Sequence, residues 1–442
     1  MSRPNQIRHV VIASFIGTAI EWYDFFLFGT ASALVFNRLF FPRLDPVAGT
    51  LSAYGTFAVG FIARPLGGAV FGHYGDRVGR RTVLIWCLVI MGVATALIGL
   101  IPTYDRIGVW APVLLVALRF LQGFGVGGEW GGAVLLAVEH SGGQRRGFHG
   151  SWPQVGVPVG LLLSSGAFAL VSSMTSPAEF LAWGWRVPFL ISVVLIVVGL
   201  VVRLRILETP AFEKVRETGG ESRLPLLDLL REHPRELVIG MGMRFAQNVL
   251  FYIYTVFILT YGEKFLGYPR GAVLRGVTLS SLLGLVTIPL WSHLSDRIGR
   301  RPVYLAGAVI SLLSVFPVFW LFGRGPAFIP IAIVLGMSLG HDMMYGPMAA
   351  CLAELFGTHV RYSGASLVYQ LTTVFAGGVA PFIATLLLAH YGSAAVASYV
   401  AGCCLITVIA TWFAPETYRS TLDHVGARIE AAGVRGVSAN LG

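Results

Sequence analysis

The sequence predicts an all-α integral membrane protein, with twelve transmembrane helices in two parallel six-helix repeats around a central cavity. Composition, the length of the apolar runs and an internal repeat together predict this fold. Of the 442 residues, 55% are hydrophobic and only 12% are charged, and the mean hydropathy is +0.73. A soluble domain has about 25% charged residues. The chain therefore lacks the polar surface that a soluble protein of this length needs.

Twelve runs are long enough to cross a bilayer, which requires about 20 predominantly apolar residues. Seven lack charged residues and cover positions 82–101, 150–176, 187–202, 276–292, 302–323, 362–388 and 393–413. Five contain ionisable residues and cover positions 10–37, 46–72, 107–138, 237–262 and 325–353. The first run is too long for the core of a signal peptide, so we interpret it as a retained span.

Basic residues are concentrated on one side of the predicted bundle. The loops that follow even-numbered spans, together with both termini, contain most of the arginine, and the other loops contain scattered basic residues. Cytoplasmic loops carry such an excess, so we expect both termini to be cytoplasmic. The same rule explains the net charge of +10 without a nucleic-acid partner.

One motif occurs in both halves of the chain. Residues 72–81 (GHYGDRVGRR) follow the second span, and residues 292–301 (SHLSDRIGRR) follow the eighth span, 220 positions later. Six spans in each half preserve the orientation of the loops, which indicates parallel repeats. The predicted units are a first half, a cytoplasmic linker, a second half and a short cytoplasmic tail, at residues 1–202, 203–235, 236–415 and 416–442. Leucines 224, 226, 227, 229 and 230 of the linker predict a short helix on the membrane surface.

Two carboxylates on span one are the first candidates for proton coupling. Glu21 and Asp24 are three residues apart, so they lie on neighbouring parts of one helix face. Two carboxylates this close in a low dielectric cannot both ionise at low cost, so one should carry a proton reversibly. We expect Asp24 first, and Glu21 second, to be the proton carrier. The alternative is a pair held permanently ionised by arginine partners.

Arg119 on span four is the first candidate for binding an anion. An arginine does not give up its proton, so its buried charge needs a carboxylate or an anionic substrate. An arginine that exchanges between Asp24 and a substrate carboxylate would couple proton and substrate. The alternative is a fixed bridge between Arg119 and a carboxylate, without contact to the substrate.

Other polar residues within the spans extend the candidate site. His341 is either a proton relay, since its pKa lies near neutrality, or a hydrogen-bonded core residue. The remaining candidates for proton coupling are Glu129 and Asp342. The remaining candidates for substrate binding are Tyr23, Gln122, Trp152, Gln154, Arg244, Gln247, Asn248, Tyr345, Tyr369 and Gln370. The sequence predicts no metal site.

The repeated loops predict a cytoplasmic gate, in which motif charges pair with charges at neighbouring helix ends when that side is shut. The alternative is an anchor that obeys the positive-inside rule and has no gating role. A second repeated pair, Glu139 with Arg146 and Glu354 with Arg361, supplies partners. The other gate candidates are Asp76, Arg77, Arg80, Arg81, Asp296, Arg297, Arg300 and Arg301, with Arg64 expected low in span two and in the same network.

The repeated loop resembles the hallmark loop of the major facilitator superfamily. Residues 17–25 (GTAIEWYDF), 63–67 (ARPLG), 119–130 (RFLQGFGVGGEW) and 208–212 (ETPAF) are similar to its metabolite:proton symporter family. That family includes carriers for shikimate, 2-oxoglutarate, citrate, proline and betaine. Residues 29–42 look most like the shikimate-type branch.

This resemblance implies a transporter that takes up a small organic acid with protons across the bacterial cytoplasmic membrane, by alternating access. It implies a monomer in the lipid bilayer, driven by the proton gradient and without a cofactor. One alternative is a symporter of a zwitterionic osmolyte such as proline or betaine, which the tail without heptads makes less favourable. Another is an exporting proton antiporter, whose span-five signature residues 156–160 match only partly. An enzyme is excluded because no clustered HxxxH, zinc-type ligand set or catalytic triad is present.

Overall fold

A computed structural model describes residues 3–43, 46–141, 145–204, 225–358 and 360–419, and all structural statements concern these residues. Within them the regular elements are helices, and no strand is present. The long helices, which we number α1 to α12, are Arg3–Ala31, Pro46–Val78, Arg80–Leu100, Trp110–Glu139, Arg146–Met174, Arg186–Leu204, Pro234–Phe265, Arg270–Ile298, Arg300–Phe322, Ile329–Leu355, Arg361–Tyr391 and Ser393–Phe413. The predicted all-helical fold is confirmed.

Ten of these helices are long and apolar enough to cross a membrane by length and composition alone. The other two, α2 and α10, correspond to predicted spans that contain ionisable residues. Helix α10 changes its hydrogen bonding to that of a π-helix over Leu335–His341 and continues as an α-helix over Asp342–Leu355. Such π-helical turns are frequent at functional sites, and this one ends at two candidate residues.

The motif glycine has the same backbone conformation in both halves. Gly79, between α2 and α3, has φ 108° and ψ 152°, and Gly299, between α8 and α9, has φ 112° and ψ 157°. Only glycine adopts this region without strain. The glycine of D-R-x-G-R-R therefore makes the sharp reversal that brings the charged residues on either side of it together.

The two sets of six helices meet along a seam. Helices α2 and α11 pack together on one side of it, and α5 packs against α8 and α10 on the other. The connections α2–α3, α4–α5, α8–α9 and α10–α11 lie at the same end of the bundle, which we call the motif end. The predicted linker and tail fall partly on residues 205–224 and 420–442, which lie outside the described residues.

A helix over Pro225–Glu232 lies where the sequence predicted a short linker helix on the membrane surface, and Leu224 falls outside the described residues. Leu229 is fully buried, whereas Leu227 and Leu230 are exposed. The helix packs against both α2 and α11. It therefore covers the seam at the motif end in addition to presenting leucines outward.

Candidate functional site

A cavity lies between the two sets of helices and receives residues from both. Five aromatic side chains and two arginines face it, and none of its lining residues is a carboxylate. The lining residues are Trp22, Arg64, Val157, Arg244, Gln247, Asn248, Phe251, Tyr252, Tyr345, Tyr369 and Thr373. Five of the predicted substrate-binding residues are among them, namely Arg244, Gln247, Asn248, Tyr345 and Tyr369.

Arg64 was expected at the gate, and the structure places it in this cavity instead. Helix α2 continues to Val78, so Arg64 lies 12 residues before Asp76, about 18 Å along the helix. Its guanidinium carbon lies 4.7 Å from the ring centre of Phe25 and 5.3 Å from that of Phe61. The side chain forms no hydrogen bond or ion pair with any described residue. The guanidinium of Arg64 is thus packed against aromatic rings, and its hydrogen-bond donors have no acceptor among the described residues.

Arg244 approaches the cavity from α7. Its guanidinium donates to Gln247 Oε1 at 3.1 Å and to Thr373 Oγ1 at 2.9 Å, and lies 3.4 Å from the ring centre of Tyr369. Its Nε atom, like the hydroxyl of Tyr252, is buried without a hydrogen-bond partner among the described residues. The cavity therefore has donor groups from both sides of the seam that the protein leaves unused.

A hydrogen-bonded chain runs from Arg244 to the second candidate carboxylate. Gln247 Nε2 lies 2.7 Å from His341 Nε2, and His341 Nδ1 lies 2.8 Å from Asp342 Oδ1. Gln247 accepts from Arg244 through its oxygen, so its amide nitrogen donates to His341. His341 then donates to Asp342 from Nδ1. In this assignment one ring nitrogen of His341 accepts a hydrogen bond and the other donates one.

Asp342 is the last member of this hydrogen-bonded series. It lies at a second, mostly apolar cavity between α5, α7, α8 and α10. Both His341 and Asp342 line it, with Ser280 and Ser281. The remaining carboxylate oxygen of Asp342 accepts from Thr287 Oγ1 at 2.5 Å. The two candidates thus connect the two cavities.

Asp24 belongs to a comparable chain among the first six helices. Arg119 donates to Gln122, Gln122 donates to Thr95 at 2.7 Å, and Thr95 donates to Asp24 at 2.9 Å. Ser192 donates to the other oxygen of Asp24 at 2.7 Å. Thr95 and Gln122 therefore stand between Arg119 and Asp24, where the sequence suggested a direct exchange.

Glu21 and Asp24 do not form the close pair that their spacing predicted. The two side chains share no hydrogen bond, because Asp24 turns toward α3 and α6. Arg64 packs beside this part of α1, with its guanidinium carbon 4.7 Å from the ring centre of Phe25 and 5.8 Å from that of Trp22. One buried oxygen of Glu21 has no hydrogen-bond partner in the part of the chain that is described.

Glu129, a candidate for proton coupling, forms a buried ion pair with Arg203 of α6. Arg203 also donates to the carbonyl of Leu84 at 2.6 Å. The sequence analysis missed Arg203, because it ended the sixth span at residue 202 and assigned the arginine to the linker. An ionisable residue directly after an apolar run is the signal that would have found it.

Four predicted substrate-binding residues have protein partners and line neither cavity. Tyr23 donates to the carbonyl of Pro188 at 2.8 Å. Trp152 packs edge-on against Phe15 and Phe148. These side chains face helix neighbours, which the identity of the residue alone does not reveal.

The other two hold helices together across the seam. Gln154 accepts from Trp130 Nε1 at 2.7 Å and donates to the carbonyl of Tyr345 at 3.0 Å. Gln370 donates to the carbonyl of Gly127 at 3.0 Å. Arg119 and Gln122 also lie outside the cavity lining.

Two charge clusters occupy the motif end, and each crosses the seam. In the first cluster, Arg361 of α11 donates to Glu139 of α4 at 3.0 Å, and Arg80 lies 3.6 Å from both Glu139 and Asp76. All four residues are buried. Three come from the first six helices, and Arg361 comes from the last six.

The second cluster repeats this design with the halves exchanged. Arg300 lies 2.7 Å from Asp296 and 3.2 Å from Glu354, and Arg146 of α5 lies 3.1 Å from Glu354. Here Arg146 comes from the first six helices and the other three residues from the last six. The two clusters thus join the halves by equivalent contacts in opposite directions.

Each motif aspartate also binds the start of a helix in the other half. Asp76 accepts from the backbone amide of Ser363 at 2.9 Å and from its hydroxyl at 2.8 Å, in the first turn of α11. Asp296 accepts from the amides of Gly147 and Phe148, both at 2.8 Å, in the first turn of α5. A carboxylate satisfies the otherwise unpaired amides of a helix N-terminus.

The other four motif arginines lie outside these clusters. Arg77 and Arg297 are exposed and form no ion pair with the described residues. Arg81 donates to the carbonyl of Leu204 at 2.7 Å. Arg301 lies over the ring of Trp412 at 5.1 Å. These two contacts each join helices of the same half of the bundle.

The Major Facilitator Superfamily profile matches residues 14–373 and again residues 277–436. The chain belongs to the Major Facilitator Superfamily. This superfamily member is 42% identical over 421 residues to the shikimate transporter of Escherichia coli K12, across 94% of this chain and 96% of that one. It is 43% identical over 424 residues to the inner membrane metabolite transport protein YhjE of the same organism, with 95% and 96% covered.

A proline/betaine transporter of Escherichia coli K12 is 35% identical over 382 residues, which cover 84% of this chain and 76% of that one. Solved structures show the same fold. The proton:xylose symporter XylE bound to 6-bromo-6-deoxy-D-glucose has a TM-score of 0.79 at 18% identity, over 96% of this chain and 99% of that one. The inward open conformation of XylE has a TM-score of 0.64 at 19% identity, over 95% of this chain and 99% of that one.

These comparisons confirm the predicted twelve-helix superfamily fold and the predicted family. The chain is a multi-pass membrane transporter of metabolites and not an enzyme.

Proposed function

We propose that this transporter is a proton-coupled symporter that takes up a small organic acid by alternating access. The observation that carries the proposal is the central cavity, which Arg64 and Arg244 both line and in which no lining residue is a carboxylate. Such a site favours an anion. Guanidinium groups match a carboxylate well, because their donors are planar and paired.

The balance of buried charge around the cavity favours coupling to protons. Among the described residues, four acidic and four arginine side chains are buried between the two ends of the bundle. They are Glu21, Asp24, Glu129 and Asp342, and Arg64, Arg119, Arg203 and Arg244. With all eight ionised the charges of this set cancel, so a substrate monoanion alone would add one uncompensated charge, at a cost of several kcal/mol in a membrane. One proton per monoanion removes that cost.

The charge clusters suggest how access alternates. We propose that the motif end faces the cytoplasm, as the density of arginine suggests, and that the two clusters hold it shut in this conformation. The halves at 1–202 and 236–415 would then move as units. Opening toward the cytoplasm requires the contacts of Arg361 and Arg146 across the seam to separate.

The relatives support an acid but leave an alternative. The shikimate transporter shares 42% identity with this chain, and a proline/betaine transporter shares 35%. A zwitterion also presents a carboxylate to Arg64 and Arg244. A zwitterion, however, also has a positively charged group. No residue that lines the cavity has a carboxylate to pair with that group.

Uptake into proteoliposomes that contain the purified protein tests this function. The panel is radiolabelled shikimate, 2-oxoglutarate, citrate, proline and glycine betaine, with the outside more acidic than the inside. We expect accumulation of at least one carboxylic acid, and its loss when a protonophore is added. Accumulation that persists with the protonophore would refute proton coupling, and uptake of proline or betaine alone would refute the organic acid.

A further inference from the structure

We propose that Glu21 is the group that links proton binding to substrate binding, and that Arg64 transmits the link. This proposal rests on the proposed function and assigns its coupling step to two residues. It differs from the sequence prediction, which put Asp24 first and placed Arg64 at the gate.

Glu21 is the buried carboxyl group that the protein supports least. It is 1% exposed, and it makes no hydrogen bond or ion pair with any residue in the described ranges. By contrast, Asp24 accepts two hydroxyl hydrogen bonds and Asp342 accepts one. Glu129 is paired with Arg203. A buried carboxylate without donors is costly, so Glu21 holds a proton more readily than these three.

The charged groups around Glu21 leave one effective cation. Arg64 lies against Phe25, one turn after Glu21 in α1, with 4.7 Å between its guanidinium carbon and the ring centre. Glu129 and Arg203 lie against Gly17, one turn before Glu21. Glu129 and Arg203 form an ion pair, so their effects on Glu21 oppose each other. Asp24 repels an ionised Glu21. Arg64 therefore favours the ionised form of Glu21, and anything that neutralises Arg64 favours the protonated form.

The remaining groups near Glu21 belong to the cavity itself. Trp22, the residue directly after Glu21 in α1, lines the cavity together with Arg64. The guanidinium carbon of Arg64 lies 5.8 Å from the ring centre of Trp22. Glu21 is thus close enough to sense a charge that enters the cavity.

Arg64 can serve either Glu21 or a substrate anion. Its guanidinium faces the cavity, and all five of its N–H donors lack an acceptor among the described residues. While Glu21 is ionised, its charge compensates Arg64. Once one proton converts the Glu21 carboxylate to the acid, the charge of Arg64 is available to a substrate carboxylate. Binding of the proton to Glu21 therefore increases the affinity for the substrate anion, and binding of the substrate anion increases the affinity for the proton by the same factor.

The exchange of Arg64 between Glu21 and the substrate also returns the transporter to its starting state. When the substrate leaves, Arg64 loses its counter-charge and attracts the ionised form of Glu21, which releases the proton on that side. One proton and one carboxylate charge move together, and no other bond is made or broken. Asp24 lacks this connection, because Thr95 and Ser192 hold its oxygens and neither residue lines the cavity.

The test compares Glu21→Gln with the wild type in proteoliposomes and in detergent, with the panel acid that the wild type accumulates as the probe. We expect Glu21→Gln to lose accumulation driven by a pH gradient but to keep exchange of labelled for unlabelled acid. Its affinity for the acid should not depend on pH, whereas wild-type affinity should fall about tenfold per pH unit at high pH. Glu263→Gln, an exposed control, should behave like the wild type.

Arg64 is tested by two further variants. Arg64→Gln should weaken binding of the same acid at least tenfold and should remove its pH dependence, and the exposed control Arg106→Gln should change neither. If Glu21→Gln does not fold, Glu21→Asp supplies the test. The aspartate keeps a carboxyl group that can bind a proton but places it closer to the α1 backbone. The midpoint of the pH dependence of affinity for the acid should therefore shift.

The outcomes separate this proposal from the function on which it rests. A wild type that accumulates no carboxylic acid, or accumulates one with a protonophore present, refutes the proposed function. A wild type that couples normally, together with a Glu21→Gln variant that keeps its accumulation and pH dependence, refutes the role of Glu21 alone. An unshifted midpoint in Glu21→Asp refutes it equally.

Discussion

Neutralising Glu139 should open the motif end. Glu139→Gln keeps the shape of the side chain but removes the charge that meets Arg361 at 3.0 Å and Arg80 at 3.6 Å. All three side chains are almost fully buried. Separation of the halves exposes them to water, where the pairs contribute little. The substitution therefore destabilises the closed conformation and leaves the open one nearly unchanged.

The size of the effect follows from the geometry of the first cluster. Removing one partner of a buried ion pair costs about 3–5 kcal/mol. Arg80 keeps Asp76 at 3.6 Å, so we take the lower figure of about 3 kcal/mol, which changes the equilibrium between closed and open forms about 100-fold. Glu354→Gln, at the equivalent position of the second cluster, should act in the same direction.

Distance measurements by electron spin resonance report this equilibrium directly. Labels attached through Arg77→Cys and Arg297→Cys lie at the motif end on opposite halves, and both positions are exposed. The four native cysteines are buried, so the labels should react selectively. Glu139→Gln should move most molecules to a longer distance. A distribution that matches that of Glu232→Gln, an exposed control at the same end, would show that the first cluster does not hold the gate.

Three further perturbations probe the site. Arg244→Lys should weaken binding of the transported acid about tenfold or more, because lysine cannot present paired planar donors; unchanged affinity in a binding assay would assign the anion to Arg64 alone. Asp24→Asn should reduce uptake and exchange together and lower the melting temperature, because Arg119 loses its balancing charge; intact exchange would contradict this role. Tyr23→Phe should cost about 1 kcal/mol of stability in thermal unfolding with no change in affinity, which a loss of binding would contradict.

The driving force provides another prediction. If one proton enters with each monoanion, the transported complex is neutral. A gradient of one pH unit should then support about tenfold accumulation, since one unit corresponds to 1.36 kcal/mol. A potassium diffusion potential without a pH gradient should support none. Accumulation driven by that potential would show that more than one proton moves with each charge.

The fold could be predicted from the sequence because its signals are local. Apolar runs mark the spans, and the D-R-x-G-R-R motif marks equivalent turns, where Gly79 and Gly299 adopt a conformation that only glycine tolerates. The repeat also identified the residues of the clusters, because Glu139 and Arg146 recur at the same spacing as Glu354 and Arg361. The ion pairs themselves cross between the repeats and join Glu139 to Arg361 and Glu354 to Arg146.

The placement of individual side chains could be predicted only in part. Arg64 was assigned to the end of its span because the apolar run stops near residue 72, whereas the helix continues to Val78. A run of apolar residues does not show which face of a helix meets the cavity. Tyr23 and Gln154 are polar residues within spans, yet both form hydrogen bonds with neighbouring helices. Tertiary packing decides this, and periodicity does not encode it.

Each motif aspartate completes the first turn of a helix that belongs to the opposite half. When the motif end is closed, the aspartates accept hydrogen bonds from backbone amides at the N-termini of α5 and α11. When it opens, only water can accept from those amides. A bilayer permits such groups only where water enters. The two halves can separate at the motif end only if water enters the seam as Asp76 and Asp296 move away from these amides. Hydration of two helix tips thus becomes a step of the transport cycle.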